Sequence, residues 1–233
     1  GDFYHSGNNY YHDKNGQQVS NVLTAGTLEI GTGLYQTLSG YASFRASDTH
    51  RVLLKGSGAR TVSFANDDAR IAVLETEGTP DISWQGYFRV EKLGSDVAVG
   101  TVDEEGITLW SDNGKMDFYG HNLTVTGNVK AIRGKLYIGG ASLAGDGSGD
   151  APRPQNMGSL TVNGNVTQGE DVVVVDGGAF TVTGDYRIQK KNSDGTYGEG
   201  SGVLAMHNDA DYVKVEGDFY HSGNNYYHDK NGQ

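Results

Sequence analysis

The sequence predicts an all-β fold, a parallel β-solenoid of about nine coils, on three observations. Glycine supplies 36 of 233 residues while proline supplies 3, which suits a chain with many corners and few interruptions of its hydrogen-bond ladders. Short segments alternate apolar and polar residues with a period of two, the mark of strands with one buried face. Those segments also recur at related spacings along the chain, and recurrence is the signature of stacked units.

Taken in order, the first such segment is TLEIGTG at 27–33. Next come HRVLLKG (50–56), RIAVLE (70–75) and RVEKLG (89–94), with TVSFAND (61–67), DISWQGY (81–87) and DVAVGTV (96–102) set between them. Trp84 and Trp110 are expected in a locally thicker core. The later part is more regular. LTVTGNV (123–129), LTVNGNV (160–166), FTVTGDY (180–186) and VKVEGDF (213–219) are four versions of one strand and turn. Leu123, Val125, Leu160, Val162, Phe180, Val182, Val213 and Val215 are the buried rows that this pattern predicts. Gly127, Gly164, Gly184 and Gly217 each precede Asn or Asp, a pairing that marks corners through positive φ and local side-chain bonding. Between these strands run KLYIGG (135–140), VVVVDGG (172–178) and VLAMHND (203–209). Nine coil starts, at Leu28, Val52, Ile71, Val90, Ile107, Leu123, Leu160, Phe180 and Val213, fill one period. Gly-, Asn- and Asp-rich insertions at 8–18, 145–158 and 190–202 interrupt it as solvent loops. A β-sandwich is the competing architecture, since short strands separated by turns also suit it.

Residues 1–17 and 217–233 are the same seventeen residues, GDFYHSGNNYYHDKNGQ. The chain therefore reads as one full period, 1–216, followed by the start of a second copy, 217–233. That makes it a piece of a longer tandem array, with adjacent copies as head-to-tail partners.

Composition narrows the function. Asp and Glu outnumber Lys and Arg by 29 to 18, a net charge of −11, which argues against nucleic-acid binding. No apolar run reaches the roughly 18 residues of a membrane helix. The absence of cysteine excludes disulfides and Cys-ligated metals.

The segments 201–223, 27–33 and 50–75 resemble tandem repeats of giant, adhesin-like or filamentous bacterial cell-surface proteins. That resemblance implies an extracellular location and a structural role as a rigid stalk or filament, with no enzymatic activity. A carbohydrate-binding adhesin that uses the insertion loops is the alternative, and a polysaccharide-degrading β-helix enzyme a remoter one.

Candidate sites follow from residue type. Tyr10, Tyr11 and His12, repeated as Tyr226, Tyr227 and His228, form a polar aromatic patch suited to surface glycans or lateral self-association. Asp146, Ser148 and Asp150 carry the alternate spacing of a calcium loop, although Ala151 and Met157 stand where an EF-hand requires Gly and Glu. A bound Ca2+ there stays open; no other cofactor is expected. Asp67 with Asp68, and Asp103 with Glu104 and Glu105, are the densest carboxylate runs. Adjacent positions point to opposite sides of a strand, so neither run is expected to act as a catalytic pair.

Overall fold

Apolar residues at every second position force each strand to bury one side, and the chain meets that demand by winding its strands around a common core. A computed structural model describes residues 2–5, 10–12, 14–20, 22–37, 44–111, 116–140 and 157–222. All regular elements among them are strands. The strands stack in parallel on three faces.

The first face runs from Phe3–His5 through Gly33–Gln36, Ala59–Phe64, the start of Asp81–Leu93, Val97–Val102, Asn122–Thr126, Ser159–Asn163 and Ala179–Val182 to Tyr212–Val215. The second comprises the middle of Asp81–Leu93, then Ile107–Trp110, Val129–Arg133, Val166–Thr167, Tyr186–Ile188 and Phe219–His221. The third begins with Thr27–Ile30, Arg51–Gly56 and Ile71–Gly78, and ends with Lys135–Tyr137, Val172–Val174 and Val203–Ala205. Asp81–Leu93 contributes to all three faces and joins 21 strands into one hydrogen-bonded sheet. The wall encloses one core as a single nearly closed parallel barrel, turning through about 300°.

This corrects the sequence reading in several respects. The open tandem solenoid of about nine coils is replaced by a closed, single-domain barrel, and the resemblance to tandem surface-protein repeats does not hold. The spacing arithmetic failed because it equated unlike positions. Leu28, Val52, Ile71 and Val90 lie on the third face, Ile107 on the second, and Leu123, Leu160, Phe180 and Val213 on the first. Steps between faces were thus counted as full turns. The β-sandwich fails too, because sandwiches pair their strands antiparallel, whereas the wall is parallel throughout. Among the described residues, antiparallel pairing is confined to two hairpins, Tyr10–His12 with Gln18–Ser20 and Lys190–Lys191 with Tyr197–Gly198. A rigid stalk or filament, and the fibre and adhesin roles attached to it, require an elongated repeat architecture that a closed barrel does not provide.

Inside the wall, Leu123, Leu160, Phe180 and Val213 stand opposite one another in register, as do Val125, Val162, Val182 and Val215. The first three of each row are fully buried; Val213 and Val215, on the last strand, are half-buried. Phe44, Phe64, Trp84 and Phe88 continue the core in ring contact, with Trp84 and Phe88 centroids 4.3 Å apart. Trp84 is buried, and its indole donates to the Tyr87 carbonyl at 3.0 Å. Trp110, by contrast, faces outward.

The corner glycines act by close approach more than by backbone handedness. Gly127 has φ +123°, whereas Gly164, Gly184 and Gly217 lie outside the positive-φ region. Gly184 instead donates to the Gly164 carbonyl at 3.0 Å, and Gly217 to that of Gly184 at 3.1 Å. A Cβ on any of these three would collide with the backbone of the preceding corner. Beside them the amides of Asn165, Asp185 and Asp218 bond the side-chain oxygens of Asn128, Asn165 and Asp185 at 2.9, 2.8 and 3.0 Å.

Candidate functional site

The second face carries the most chemically structured outer surface. Phe88, Leu109 and Ile132 occupy one register row and point into the core. Alternation therefore turns their neighbours outward. Arg89, Trp110 and Arg133 form one outer row, with the guanidinium carbons of Arg89 and Arg133 lying 5.7 and 5.2 Å from the Trp110 ring centroid. Tyr87, Thr108 and Ala131 form the adjacent row. Further along, Thr167, Arg187 and Tyr220 are in register. Arg187 lies 3.6 Å from the Tyr220 centroid and 4.8 Å from that of Tyr197. Its guanidinium also donates to Asp185 Oδ2 at 3.0 Å; against the opposing effect of burial, its bonds to Tyr220 and Asp185 hold it more firmly protonated than an ordinary arginine.

Between these rows lies a groove of about 520 Å³. Thr108, Asn128, Asn165 and Thr167 supply hydroxyl and amide groups to it, Lys130, Arg133 and Lys191 supply cations, and Tyr87 and Tyr197 supply aromatic rings. Tyr87 belongs to the first strand of the face and Tyr197 packs over the fifth, so four strand steps of about 4.8 Å separate them by roughly 19 Å. Among the described residues that line the groove, Glu105 is the one carboxylate. It is 84 % exposed and lies 3.6 Å from Lys130. Asp171 sits within the electrostatic reach of Arg133. Burial pushes its carboxyl above the ordinary value, against the opposing effects of the Gly134 amide and Arg133.

A second, more apolar cavity of about 370 Å³ opens where the first and third faces begin, lined by Phe3, His5, Leu23, Leu28, Phe44 and His50. His5 Nδ1 lies 2.8 Å from Gln36 Oε1. His50 is 5 % exposed; burial lowers its pKa, and its Nδ1 is buried without a hydrogen-bond partner among the described residues.

Of the candidate site residues singled out from sequence, Glu105 lines the groove and the others fall elsewhere. Tyr10 and Tyr11 pair through their backbones with Ser20 and Val19, and His12 is exposed on the same hairpin. Tyr226, Tyr227, His228, Asp146, Ser148 and Asp150 lie outside the described residues. Of the carboxylate runs, Asp68 pairs with Arg45 at 2.5 Å and Asp103 accepts the Gly86 amide at 2.7 Å. Both are engaged in local structure. The described residues contain no cluster of three or more His, Asp or Glu side chains suited to a metal ion. No helix among them is long and apolar enough to cross a membrane.

The groove residues Tyr87, Lys130, Arg133, Lys191 and Tyr197 escape a reading of the sequence because they come from three separate segments. Only the 190–202 insertion, which supplies Lys191 and Tyr197, is expected there as an interaction loop. No known protein family, curated protein or solved structure matches the chain.

Proposed function

We propose that the protein is a non-catalytic binding module whose second-face groove takes an extended acidic polysaccharide, of the uronate type, outside the cell. One observation carries the reading: cations and aromatic rings from distant segments converge on a single groove in a chain of net charge −11. Lys130, Arg133 and Lys191 give the groove a local positive field within an otherwise acidic molecule, and such a field draws in anionic ligands. Tyrosine gives rigid, amphipathic platforms for sugar rings. The floor of hydroxyls and amides matches the hydroxyl groups of a saccharide, and guanidinium pairs with carboxylate through charge-assisted bonds. Binding rather than hydrolysis follows from the carboxylates, since glycosidases place two across the scissile bond and the described lining of the groove supplies Glu105 alone.

The test is titration with polygalacturonate and, in parallel, with a neutral glucan of similar length. Acidic polymer should bind and weaken as salt rises. Arg133→Ala and Lys191→Ala should each lower affinity roughly tenfold or more, and Tyr197→Ala should weaken binding without changing its salt dependence. Equal binding of the neutral glucan, or no binding of the acidic one, would overturn the reading.

A further inference from the structure

The repeated segment occupies two unlike seats. Phe3, Tyr4 and His5 stand opposite Leu34, Tyr35 and Gln36 on the first face. Phe219, Tyr220 and His221, the same three residues in the same seventeen-residue context, stand opposite Tyr186, Arg187 and Ile188 on the second. Each seat has its own side-chain fit. In the first, the Tyr4 and Tyr35 rings stack at 4.8 Å, Phe3 meets Phe44 edge-on at 6.3 Å, and His5 bonds Gln36. In the second, Tyr220 lies under Arg187 and the Phe219 ring lies 5.3 Å from that of Tyr186.

Among the described residues, both strands sit at the end of their stacks and are bonded to the wall along one edge. Tyr4 is 68 % exposed and Phe219 is 49 % exposed. Terminal strands of this kind are the least costly parts of a sheet to detach. Because the two segments are chemically identical, each seat accepts either one with every contact preserved.

We propose that two copies of this chain associate by strand exchange, one copy placing Phe219–His221 on the Gly33–Gln36 strand of the other and receiving Phe3–His5 on its own Tyr186–Ile188 strand. Exchange of matched elements between protomers conserves the contacts of the separate copies, so its cost is that of bringing two chains together. The second seat borders the polysaccharide groove through Arg187, which packs on both Tyr197 and Tyr220, but the exchange is read out without any polysaccharide present.

The chain has no cysteine, so the exchange can be trapped by introducing one per copy. Tyr35 faces Tyr4, and Tyr220 faces Arg187, within a single copy; Tyr220 faces Tyr35 only after exchange. Chains carrying Tyr35→Cys are mixed with chains carrying Tyr220→Cys and treated with a short thiol cross-linker. The control mixture replaces the second partner with Asp209→Cys, an exposed turn position. Exchange predicts several-fold more mixed dimer than the control, rising with protein concentration and suppressed by excess synthetic peptide spanning 217–233. Equal cross-linking in the two mixtures overturns the proposal. Should Tyr35→Cys fail to fold, the reciprocal pair Tyr4→Cys with Arg187→Cys reads the other half of the same exchange. Against the same control, an excess of mixed dimer supports exchange and equal cross-linking overturns it.

Discussion

The Tyr186 hydroxyl donates a hydrogen bond to Oε1 of Gln168 deep in the barrel, where both side chains have no exposed surface. Gln168 in turn donates through Nε2 to the carbonyls of Asp171 and Val203 at 2.5 and 2.7 Å. The pair ties the second face to the third through the core. Burial raises the tyrosine's pKa far above its ordinary value, which favours the protonated, donating hydroxyl.

Removing that donor strands the amide oxygen. Tyr186→Phe should cost about 1–3 kcal/mol, the range for a buried unsatisfied acceptor. Gln168→Leu should cost more, since it strands the hydroxyl and also the Asp171 and Val203 carbonyls. In denaturant titrations the double variant should lose less than the sum of the two, since it removes both orphans together. Strict additivity would mean that the bond contributes nothing.

Gly184 tests the close stacking of the corners. Gly184→Ala forces a Cβ into the Gly164 backbone, and overpacking of this kind costs about 1–3 kcal/mol. Gly58→Ala offers a control: it meets only the movable end of the Arg60 side chain and has no positive φ, so thermal melting should show little change there. Similar melting losses at both positions would remove the close-approach argument.

His50 makes the fold sensitive to acid. Its folded value is depressed by burial, so the unfolded chain takes up the proton first as pH falls. The stability it contributes is present above the ordinary histidine value, near 6.5, and is lost as pH drops below it toward the lower folded value. Replacing His50 with Phe should flatten this part of the melting-temperature profile. It should also add about 1 kcal/mol at neutral pH by removing the orphaned Nδ1; the adjoining cavity leaves room for the ring. An unchanged profile would place the acid sensitivity elsewhere.

Asp171 works in the opposite sense. Its folded value is raised, chiefly by burial, so below the ordinary carboxylate range both states are protonated and nothing is lost. As pH rises through that range the unfolded chain releases its proton first and stability falls. Asp171→Asn, which retains an acceptor for the Gly134 amide, should therefore melt higher at pH 7, with the advantage fading below about pH 4. Loss of this charge near Arg133 should also tighten binding of the acidic polymer. A lower melting temperature at pH 7 would show that attraction to Arg133 outweighs burial.

Local pattern carried part of the structure. The alternation in LTVTGNV, LTVNGNV and FTVTGDY specifies strands with Leu123 and Val125, Leu160 and Val162, and Phe180 and Val182 on one side, because side-chain direction depends only on neighbouring residues. Nothing local assigns a strand to a face. Val90, Ile107 and Leu123 look equivalent in sequence and lie on three different faces. The groove was hidden for the same reason, since Tyr87, Arg133 and Tyr197 become neighbours only when the second face and the 190–202 hairpin come together.

Sequence by itself determined the all-β character, the apolar alternation of individual strands and the identity of residues 1–17 with 217–233. Tertiary structure alone decided how the wall closes, which strands share a face and where each copy of the repeated segment sits. Phe3–His5 and Phe219–His221 show why. Their own residues are identical, so the difference between their seats comes entirely from the strand edges that long-range closure leaves open to them.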